Sequence, residues 1–323
     1  MTKALVLGVT GQDGSYLAEL LLSRGYEVHG MLRRTAQYPE NLKYVPKDAT
    51  LHFGDLTTEH HLCSLIHELK PDEIYNLASQ SDVRLSFDVP EYTGDVTGLG
   101  VTRLLEAVRK FSPNSKVYQA SSSEMFGNPP PPQNETSPMR PNSPYGAAKL
   151  YAHNMCHIYR ESYGMFVACG ILFNHESPRR GKNFVTRKIT SAAHEIKAGK
   201  RNDLYLGNLE AKRDWGYAPD YVKAMWLMLQ QPEPDDFVAG TGEAHSVQEF
   251  AEEAFSLVGL DWQEYVKIDP NLYRPVEVNH LLADASKAYR VLGWKPAVTF
   301  RELVKIMWEA EQADTTPLGE EVR

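Results

Sequence analysis

Two side chains four residues apart, Tyr145 and Lys149, suggest acid/base chemistry. Residues at this spacing share one face of a helix, and Ser143 followed by Pro144 is typical of a helix start. An ammonium group near a phenol favours the phenolate. We therefore expect Lys149 to lower the pKa of Tyr145 and make it a general base near neutral pH. The same spacing occurs by chance in many helices, so its meaning depends on the motifs around it.

A polar cluster, Ser-Ser-Ser-Glu at residues 121–124, closes an apolar segment typical of a buried strand. Open α/β sheets bind ligands beyond the carboxyl ends of their strands, so this cluster lies where a ligand is expected. Glu124 at its end offers a carboxylate that can move a proton. A carboxylate at a helix start or on the surface is the alternative interpretation.

Three glycines, Gly8, Gly11 and Gly14, directly follow the first apolar run and precede a helical pattern. In a strand-turn-helix setting, glycines permit a tight turn and a close approach of the backbone to a ligand. The backbone amides and the helix dipole at such a turn can hold a pyrophosphate. We therefore expect a dinucleotide site, although a glycine triplet alone also occurs in ordinary turns.

The residues after the second predicted strand bear on the choice between NAD and NADP. An acidic residue at this point binds the adenosine ribose of NAD, but this sequence has Arg33 and Arg34 there. Guanidinium groups suit phosphate geometry, so the pair favours NADP, and two solvated surface charges are the alternative. Asp55, after the third predicted strand, is expected either to accept from the adenine amino group or to cap the following helix.

Apolar runs alternate with amphipathic segments in the first half of the chain, which is typical of βα units and a parallel sheet. Strands are predicted at residues 4–9, 27–32, 51–53, 73–78, 117–121 and 166–173. Helices are predicted at residues 16–23, 58–69, 95–111 and 145–163. The predicted fold is α/β, a Rossmann-type doubly wound parallel sheet that positions these motifs at one edge.

The regular alternation ends near residue 173 and gives way to helices, short strands and Gly or Pro turns. We predict an NADP-binding domain over residues 1–173, to which some later segments return, and a smaller, mixed α/β substrate-binding lobe over residues 174–323. A proline-rich segment, 128–144, is expected to be an extended, partly stiff loop and to act as a lid. The polar tail, 313–323, is expected to fray.

Composition argues against several kinds of partner. The 42 acidic side chains outnumber the 34 basic ones, for a formal charge of −8, which argues against nucleic acid or an anionic membrane surface. No apolar run approaches the ~20 residues of a membrane span and the N-terminus lacks a signal-peptide pattern, so we expect a cytoplasmic enzyme. Cys63, Cys156 and Cys169 show no metal-ligand spacing and are expected to be buried free thiols, with no metal site.

The set of GxxGxxG, strand-end serines and Tyr-x-x-x-Lys resembles the extended short-chain dehydrogenase/reductase family. Longer segments, spread over nearly the whole chain, are similar to its GDP-mannose 4,6-dehydratase branch: VTGQDGSYLAELLL, YNLASQS, ASSSEMFG, ILFNHESPRRGKNFVTRKI, AKRDWGYAPDYVKAMW and KIDPNLYRPVEV. The resemblance implies an NADP-dependent lyase that acts on a GDP-hexose of the mannose type. It also implies a homodimer or homotetramer.

The resemblance further implies the roles of individual residues. The cofactor pyrophosphate would lie against Gly8, Thr10, Gly11, Gln12 and Asp13, the 2′-phosphate against Arg33 and Arg34, and the adenine end against Asp55 and Leu56. The rest of the cofactor groove would comprise Leu77, Ala78, Ser81, Tyr92, Lys149, His175 and Arg180. The catalytic set would be Ser122, where the family usually has threonine, with Glu124, Tyr145 and Lys149. The GDP-sugar pocket would contain Asn174, Lys188, Arg213, Arg274 and Glu277.

The implied reaction requires both a redox cofactor and a carboxylate. Oxidation at C4 of the sugar would pass a hydride to NADP and make the C5 proton acidic. Glu124 would remove that proton, and water would be lost across C5 and C6. The hydride would then return from the cofactor to C6. A reductase or epimerase on a related nucleotide keto-sugar needs Tyr145 and Lys149 but not Glu124, and a non-catalytic NADP sensor needs none of them. The sequence departs from the family at Phe126, in place of a common tyrosine, at Ser79 and Asp82 in the YNLASQSDVR segment, and across residues 36–49. These departures bear on the oligomer contact and the sugar preference.

Overall fold

The structure is a computed structural model that describes residues 1–35 and 40–314. Its strands are β1 (Lys3–Leu7), β2 (Glu27–Leu32), β3 (Thr50–Phe53), β4 (Glu73–Asn76), β5 (Lys116–Ser122), β6 (Val167–Leu172), β7 (Asn174–Glu176), β8 (Leu204–Leu206), β9 (Lys212–Arg213), β10 (Trp215–Tyr217), β11 (Asp236–Ala239), β12 (His245–Ser246) and β13 (Val266–Ile268). Its α-helices are α1 (Gln12–Ser23), α2 (Glu59–Leu69), α3 (Val83–Ser86), α4 (Pro90–Thr93), α5 (Gly100–Phe111), α6 (Pro144–Tyr163), α7 (Val185–Lys197), α8 (Ala218–Leu229), α9 (Val247–Leu257), α10 (Trp262–Tyr265), α11 (Ser286–Leu292) and α12 (Phe300–Asp314).

The main sheet is parallel throughout. Within residues 1–35 and 40–314 it contains seven strands in the order β11-β6-β5-β4-β1-β2-β3. The chain order reverses between β1 and β4, and such a reversal opens a crevice at the carboxyl edge of the sheet. Leu7, the last residue of β1, lies opposite Met31 on β2 and Asn76 on β4. The predicted Rossmann-type α/β fold is confirmed.

Side chains of the central strand alternate between two buried layers, because successive residues of a strand point to opposite faces. Ala4 and Val6 pack with residues of α1 and α8, whereas Leu5 and Leu7 pack with residues of α2, α5 and α6. All four side chains are inaccessible to solvent. Burial on both faces explains why the strand is continuously apolar in sequence.

A second core lies outside the sheet and holds the smaller lobe together. Buried side chains of α7, α9 and α12 pack around Trp215. Short strand pairs, β7 with β10, β9 with β12, and β8 with β13, give this lobe its mixed α/β character. Two later elements return to the main sheet, since β11 pairs with β6 and α8 packs in the layer of α1. The division at residues 173 and 174 stays a prediction.

The proline-rich segment differs from the expected lid. Gln133, at its middle, is fully buried. Its backbone N–H donates to Leu282 O at 2.8 Å, and the N–H of Leu282 donates back to Gln133 Oε1 at 2.9 Å. The N–H of Asp284 donates to Gln133 O at 2.9 Å, and the Glu135 carboxylate accepts from Val238 N at 2.7 Å. These bonds fasten the segment to the main sheet and to residues 282–284, because polar groups this deeply buried require partners.

Two further predictions meet the structure in part. The helix expected over residues 95–111 begins as a π-helical segment, Gly94–Leu99, and continues as α5. Cys63, Cys156 and Cys169 are free thiols, with Cys63 only half-buried. Part of the atypical run 36–49, namely residues 36–39, and residues 315–323 of the tail lie outside the described residues. None of the helices in the described ranges has the length and apolarity needed to cross a membrane.

Candidate active site

A cleft of about 420 Å³ lies at the carboxyl edge of the sheet and continues into the smaller lobe. Its size is within the usual range for a small-molecule site. It brings together most of the residues implied by the sequence: Gly8, Gly11, Gln12, Asp13, Leu77, Ser81, Ser122, Glu124, Tyr145, Lys149, Asn174, His175, Arg180, Lys188, Arg213, Arg274 and Glu277. The predicted cofactor, catalytic and substrate groups therefore share one cavity.

Seven of the implied cofactor residues do not line the cleft: Thr10, Arg33, Arg34, Asp55, Leu56, Ala78 and Tyr92. Arg33 and Arg34 are exposed beyond the end of β2. Arg33 donates to the hydroxyl of Tyr92, and the Arg34 guanidinium lies 4.8 Å from the ring centre of Phe53. Both arginines therefore lie directly after β2, the strand next to the glycine turn.

Asp55 and Leu56 have local structural partners. The Asp55 carboxylate accepts from the backbone N–H and the hydroxyl of Thr57, both at 2.9 Å. The carboxylate thus supports the turn before α2 and does not cap that helix, whose N-cap is Thr58. The contact of Asp55 with adenine stays a prediction. Leu56 is buried, and a Cβ on Gly100 would lie 2.8 Å from its Cβ.

The glycine turn has the shape of a pyrophosphate cradle. Gly8 has a φ of +82°, which L side chains rarely adopt, and a Cβ there would lie 3.0 Å from the backbone of Ala78. A Cβ on Gly14 would come within 2.2 Å of Gly8 O, so α1 begins directly against the turn. Gly11 is the N-cap of α1. Unpaired backbone N–H groups at this helix start fit an anion, so the residues present suit a dinucleotide.

A buried ion pair joins the glycine turn to β7. Nε2 of His175 lies 2.8 Å from Oδ2 of Asp13, and its Nδ1 lies 2.7 Å from Phe173 O. The side-chain amide of Gln12 donates to both Asp13 Oδ1 and His175 O. A carbonyl and a carboxylate can only accept, so both ring nitrogens donate and the ring is cationic.

The pKa shifts agree with this charge state. Burial opposes the charged ring, but the Asp13 carboxylate raises the pKa of His175 above its ordinary value. Burial likewise opposes ionisation of Asp13, yet His175, Gln12 and Arg180 together hold the pKa of that carboxyl below its usual range. The pair is an imidazolium and a carboxylate beneath the cofactor groove.

Tyr145 and Lys149 lie in the first turns of α6, which starts at the N-cap Ser143. The Ser143 hydroxyl accepts from the backbone N–H of Gly146 at 3.0 Å. The Lys149 ammonium donates to Ala120 O at 2.7 Å and lies 5.7 Å from the centre of the Tyr145 ring. α6 therefore presents both side chains to the end of β5, as the spacing predicted.

The protonation of this pair differs from the expectation. Burial raises the pKa of Tyr145 to about 12 and Glu124 adds to the effect, while a hydrogen bond with Ser122 and the charge of Arg180 oppose it. Burial lowers the pKa of Lys149 to about 8. The expectation that Lys149 lowers the pKa of Tyr145 is therefore not met by the protein's own groups, because desolvation outweighs the favourable charges.

Glu124 is buried at the end of β5, where Ser122 is the N-cap of a short 3-10 turn, Ser123–Met125. The Ser122 hydroxyl accepts from the backbone N–H of Glu124 at 3.2 Å. A Cβ on Gly146 would lie 2.6 Å from Glu124 O, so only glycine allows α6 to approach this closely. Of the alternative interpretation, the surface carboxylate is wrong, since the Glu124 side chain is 9% exposed, whereas the position at a helix start is confirmed by the 3-10 turn.

Charged residues of the smaller lobe face Glu124 across the cleft. Nη2 of Arg213 lies 3.5 Å from Glu277 Oε1, and Nη1 of Arg274 lies 3.2 Å from Glu124 Oε1. Burial lowers the pKa of Arg213. Asp214, the neighbour of Arg213, accepts instead from the backbone N–H groups of residues 241, 242 and 283. The guanidinium of Arg213 therefore pairs with Glu277 in the cleft, whereas the Asp214 carboxylate is bound by these backbone groups.

The two other predicted substrate residues lie on different walls. Asn174 is in β7, opposite Trp215 of β10. The Lys188 ammonium, on α7, donates to Tyr205 O at 2.7 Å. Burial is the larger of two causes that lower the pKa of Lys188, and the positive charge of Arg201 is the smaller. Both residues line the cleft.

The sequence did not indicate some of the cleft walls. Leu206, Gly207 and Asn208 line the smaller lobe's side of the cavity, as do Val247 and Leu272. An apolar-polar-apolar run followed by Gly-Asn is a strand-and-turn signal, and β8 does end there. This sequence pattern predicts the strand β8, but it does not predict which side chains of the strand and its turn face the cavity.

Ser121 is supported by a buried polar cluster that the sequence also did not indicate. Its hydroxyl lies 3.0 Å from His153 Nδ1 on α6, and Nε2 of His153 lies 3.6 Å from Asp236 on β11. The ligand atoms of His153, Cys169 and Asp236 lie within 4.8 Å of one another. Arg160 pairs with Asp236 at 2.5 Å and supplies the positive charge, so the cluster supports the end of β5.

Comparison with known proteins identifies the family of this chain. A family model described as GDP-mannose 4,6 dehydratase matches residues 5–307. GDP-mannose 4,6 dehydratase 2 of Arabidopsis thaliana is 55% identical over 94% of this chain and 85% of its own length. The human GDP-mannose 4,6 dehydratase is 50% identical over 95% and 91%. The crystal structure of Thermus thermophilus UDP-glucose 4-epimerase in complex with NAD is 27% identical with a TM-score of 0.85, over 96% of this chain and 99% of that one. This chain belongs to the GDP-mannose 4,6 dehydratase family.

Proposed function

We propose that this chain converts GDP-D-mannose to GDP-4-keto-6-deoxy-D-mannose with NADP as the redox cofactor. The observation that carries the proposal is a buried carboxylate, Glu124, in the same cleft as Tyr145 and Lys149. Tyr145 and Lys149 alone suffice for oxidation or reduction at C4. The additional base serves the removal of a C5 proton, which distinguishes a dehydratase from a simple dehydrogenase.

Tyr145 takes the proton from O4 while C4 is oxidised. Its hydrogen bond with Ser122 and the charge of Arg180 favour the phenolate, and burial opposes it. A bound nicotinamide would, in its oxidised form, supply the hydride acceptor for C4 and a positive charge that favours the phenolate, and in the reduced form so produced it would supply the hydride for C6. Lys149, whose pKa burial lowers to about 8, titrates near neutral pH and is suited to exchange protons with Tyr145.

Glu124 acts after C4 has become a ketone. The ketone makes the C5 proton acidic, and the Glu124 carboxylate removes it. The electrons of the C5–H bond form the C5–C6 double bond as the C6–O bond breaks, and the hydroxyl leaves as water with the proton that Glu124 has taken from C5. Return of the hydride to C6, and of the O4 proton held by Tyr145 to C5, would complete the product. Burial of Glu124 and Tyr145 keeps bulk water from the reacting atoms, which protects the intermediates of such a cycle.

NADP is preferred over NAD on account of Arg33 and Arg34. Both follow β2, whose Met31 carbonyl accepts from the backbone N–H of Gly8 at 3.1 Å, so they lie beside the pyrophosphate cradle. Their exposure leaves both guanidinium groups accessible to a 2′-phosphate. The contact of Arg33 with Tyr92 supports the same assignment, since the family resemblance implies that Tyr92 also lines the cofactor groove.

The GDP part of the substrate is assigned to the smaller lobe. Arg213 and Arg274 are the cations for the diphosphate, since guanidinium groups suit its geometry, and Asn174, Lys188 and Glu277 complete the pocket. We further propose a cytoplasmic homodimer or homotetramer and a division into an NADP-binding domain and a substrate-binding lobe near residue 173. These proposals rest on the family and on the expectations from composition.

Mass spectrometry of the product formed from GDP-mannose tests the function. A dehydratase yields a product lighter by one water, with no net use of NADPH, whereas an epimerase leaves the mass unchanged and a reductase consumes NADPH. The UDP-glucose 4-epimerase with a similar fold makes epimerisation the second candidate. A product of unchanged mass would establish that alternative.

Replacement of Glu124 by Gln isolates the proposed base. Turnover should fall by ~10²- to 10⁴-fold, the usual contribution of a general acid/base group, while oxidation at C4 survives. The absorbance of reduced nicotinamide should therefore accumulate, and exchange of the C5 hydrogen with solvent should stop. Tyr145→Phe is the matched control, because without the phenolate no absorbance should develop. Undiminished C5 exchange in the Glu124→Gln enzyme would contradict the assignment.

A further inference from the structure

Arg274 contacts the proposed base directly. Its Nη1 donates to Glu124 Oε1 at 3.2 Å across a sequence separation of 150 residues. The Arg274 side chain is 27% exposed and that of Glu124 is 9% exposed, so the contact is largely shielded from solvent. A guanidinium binds a carboxylate through directed N–H groups, which restrict the orientation of the carboxylate.

The backbone on both sides of this contact is held together by other residues. Asn128, four positions after Glu124, donates to Glu277 O at 3.0 Å, and its Oδ1 accepts from Asn279 N at 3.0 Å. Pro275 follows Arg274 and restricts the backbone of Arg274 to extended conformations. The segment that carries Arg274 is thus fixed against the turn that carries Glu124, and the contact is part of the fold.

The neighbouring charges leave Arg274 available to Glu124. Glu277 lies 3.5 Å from Arg213 and 4.0 Å from Arg274, so Arg213 is its nearer partner. The order of charged groups is therefore Glu124, Arg274, Glu277 and Arg213. Carboxylates and guanidinium groups alternate in this row, and Arg274 lies between the two carboxylates. Loss of Arg274 would leave Glu124 without this donor, but it would leave the contact between Arg213 and Glu277 in place.

We propose that Arg274 is a positioning residue for Glu124, holding its carboxylate toward C5 of the sugar, in addition to any contact with the diphosphate. This inference rests on the proposed dehydratase function. It assigns to the smaller lobe a direct part in the elimination step. It also separates two roles of Arg274, binding of the diphosphate and positioning of the base, which the family resemblance does not distinguish. A residue that only binds the diphosphate changes the affinity for substrate but not the orientation of the Glu124 carboxylate.

The two roles predict different kinetics for Arg274→Gln. If Arg274 only binds the diphosphate, KM for GDP-mannose rises and saturating substrate restores turnover. If it positions Glu124, turnover at saturating GDP-mannose falls by ~10²-fold, the usual result of a misplaced catalytic group. Oxidation at C4 then outpaces elimination, so reduced nicotinamide accumulates and exchange of the C5 hydrogen slows.

The experiment compares five forms of the enzyme: wild type, Arg274→Gln, Glu124→Gln, the double variant, and Arg213→Gln. Each receives saturating GDP-mannose and NADP, with absorbance and C5 exchange followed, and GDP affinity is measured separately by calorimetry. The double variant should eliminate water no more slowly than Glu124→Gln alone, because the positioning residue acts only through Glu124. Arg213→Gln should weaken GDP binding without accumulation of reduced nicotinamide.

Three results would overturn the proposal: a change in KM alone, additive losses in the double variant, or equal accumulation in Arg213→Gln. If Arg274→Gln has a much lower melting temperature than wild type, Arg274→Lys carries the same test, since an ammonium retains the charge but not the planar donor geometry. Conversion of GDP-mannose by the wild type establishes the proposed function first. A negative result from the Arg274 variants then bears on the positioning role alone.

Discussion

The ion pair between Asp13 and His175 leads to a prediction with a defined pH dependence. Asp13→Asn keeps the size of the side chain but removes its charge, and it leaves a cationic ring facing a neutral amide. Breaking a buried pair costs about 3–5 kcal/mol. Since the side chains of Asp13 and His175 are 21% and 11% exposed, we expect the lower end, about 3 kcal/mol. At an unfolding entropy of about 2.1 cal/mol/K per residue, the 323-residue chain should lose about 4 °C in Tm.

The sign of the pH dependence follows from the two shifts. The raised pKa of His175 contributes stability that is complete below its unfolded value of about 6.5 and is lost as pH rises through the folded pKa. The lowered pKa of Asp13 contributes stability that is present above about 3.9 and is lost as pH falls through the folded pKa. The Tm difference between wild type and Asp13→Asn should thus be largest near pH 5–6 and should shrink in alkaline buffer.

Calorimetric melting of both proteins without added cofactor, in a series of buffers from acidic to alkaline, measures this difference. Asp88→Asn is the matched control, because its partner Arg84 and its own carboxylate are 47% and 58% exposed and exposed pairs contribute little. A Tm difference for Asp13→Asn that stays constant with pH, or grows toward alkaline pH, would refute the assigned charge state. A loss equal to that of the control would refute the energetic importance of the pair.

Two further predictions test the cofactor site and the packing of the catalytic helix. Replacing Arg33 and Arg34 by alanine should weaken binding of NADP far more than that of NAD in a titration, because only NADP carries the 2′-phosphate; equal losses would contradict the assignment. Gly146→Ala should lower turnover by about 10²-fold in a steady-state assay. The Cβ of the alanine would lie 2.6 Å from Glu124 O, so either α6 or the base must move. Wild-type turnover in this variant would show that the close approach of α6 is not needed.

Local patterns predicted a large part of the fold and of the site. The glycine turn, the helix start at Ser143 and the spacing of Tyr145 and Lys149 each depend on residues that are close in sequence. Strand and helix periodicity is a local property as well, which explains why the central strands lie within a few residues of their predicted bounds. Boundary differences arise where one residue changes the backbone, as at Gly8, whose φ of +82° ends β1 early.

Features that depend on tertiary contacts were not predictable in this way. The proline-rich segment has the composition of an extended, partly stiff loop and is expected from its sequence to act as a lid, but the burial of Gln133 and its bonds to residues 282–284 fasten it to the rest of the fold. The charge of Lys149 suggested a lowered pKa for Tyr145, but desolvation depends on what the rest of the chain covers. In both cases a property of one residue is set by atoms that are distant in sequence.

The amino-acid sequence by itself determined the α/β class, the dinucleotide turn, the family and many of the residues that line the cleft. The tertiary structure alone decided how those residues are paired: Asp13 with His175, Glu124 with Arg274, and Ser121 with His153. Spacing along the chain cannot specify such pairs, because their members belong to different elements whose mutual distance depends on the packing of the whole sheet and the smaller lobe. These long-range pairs set the charge states and orientations on which the proposed chemistry depends.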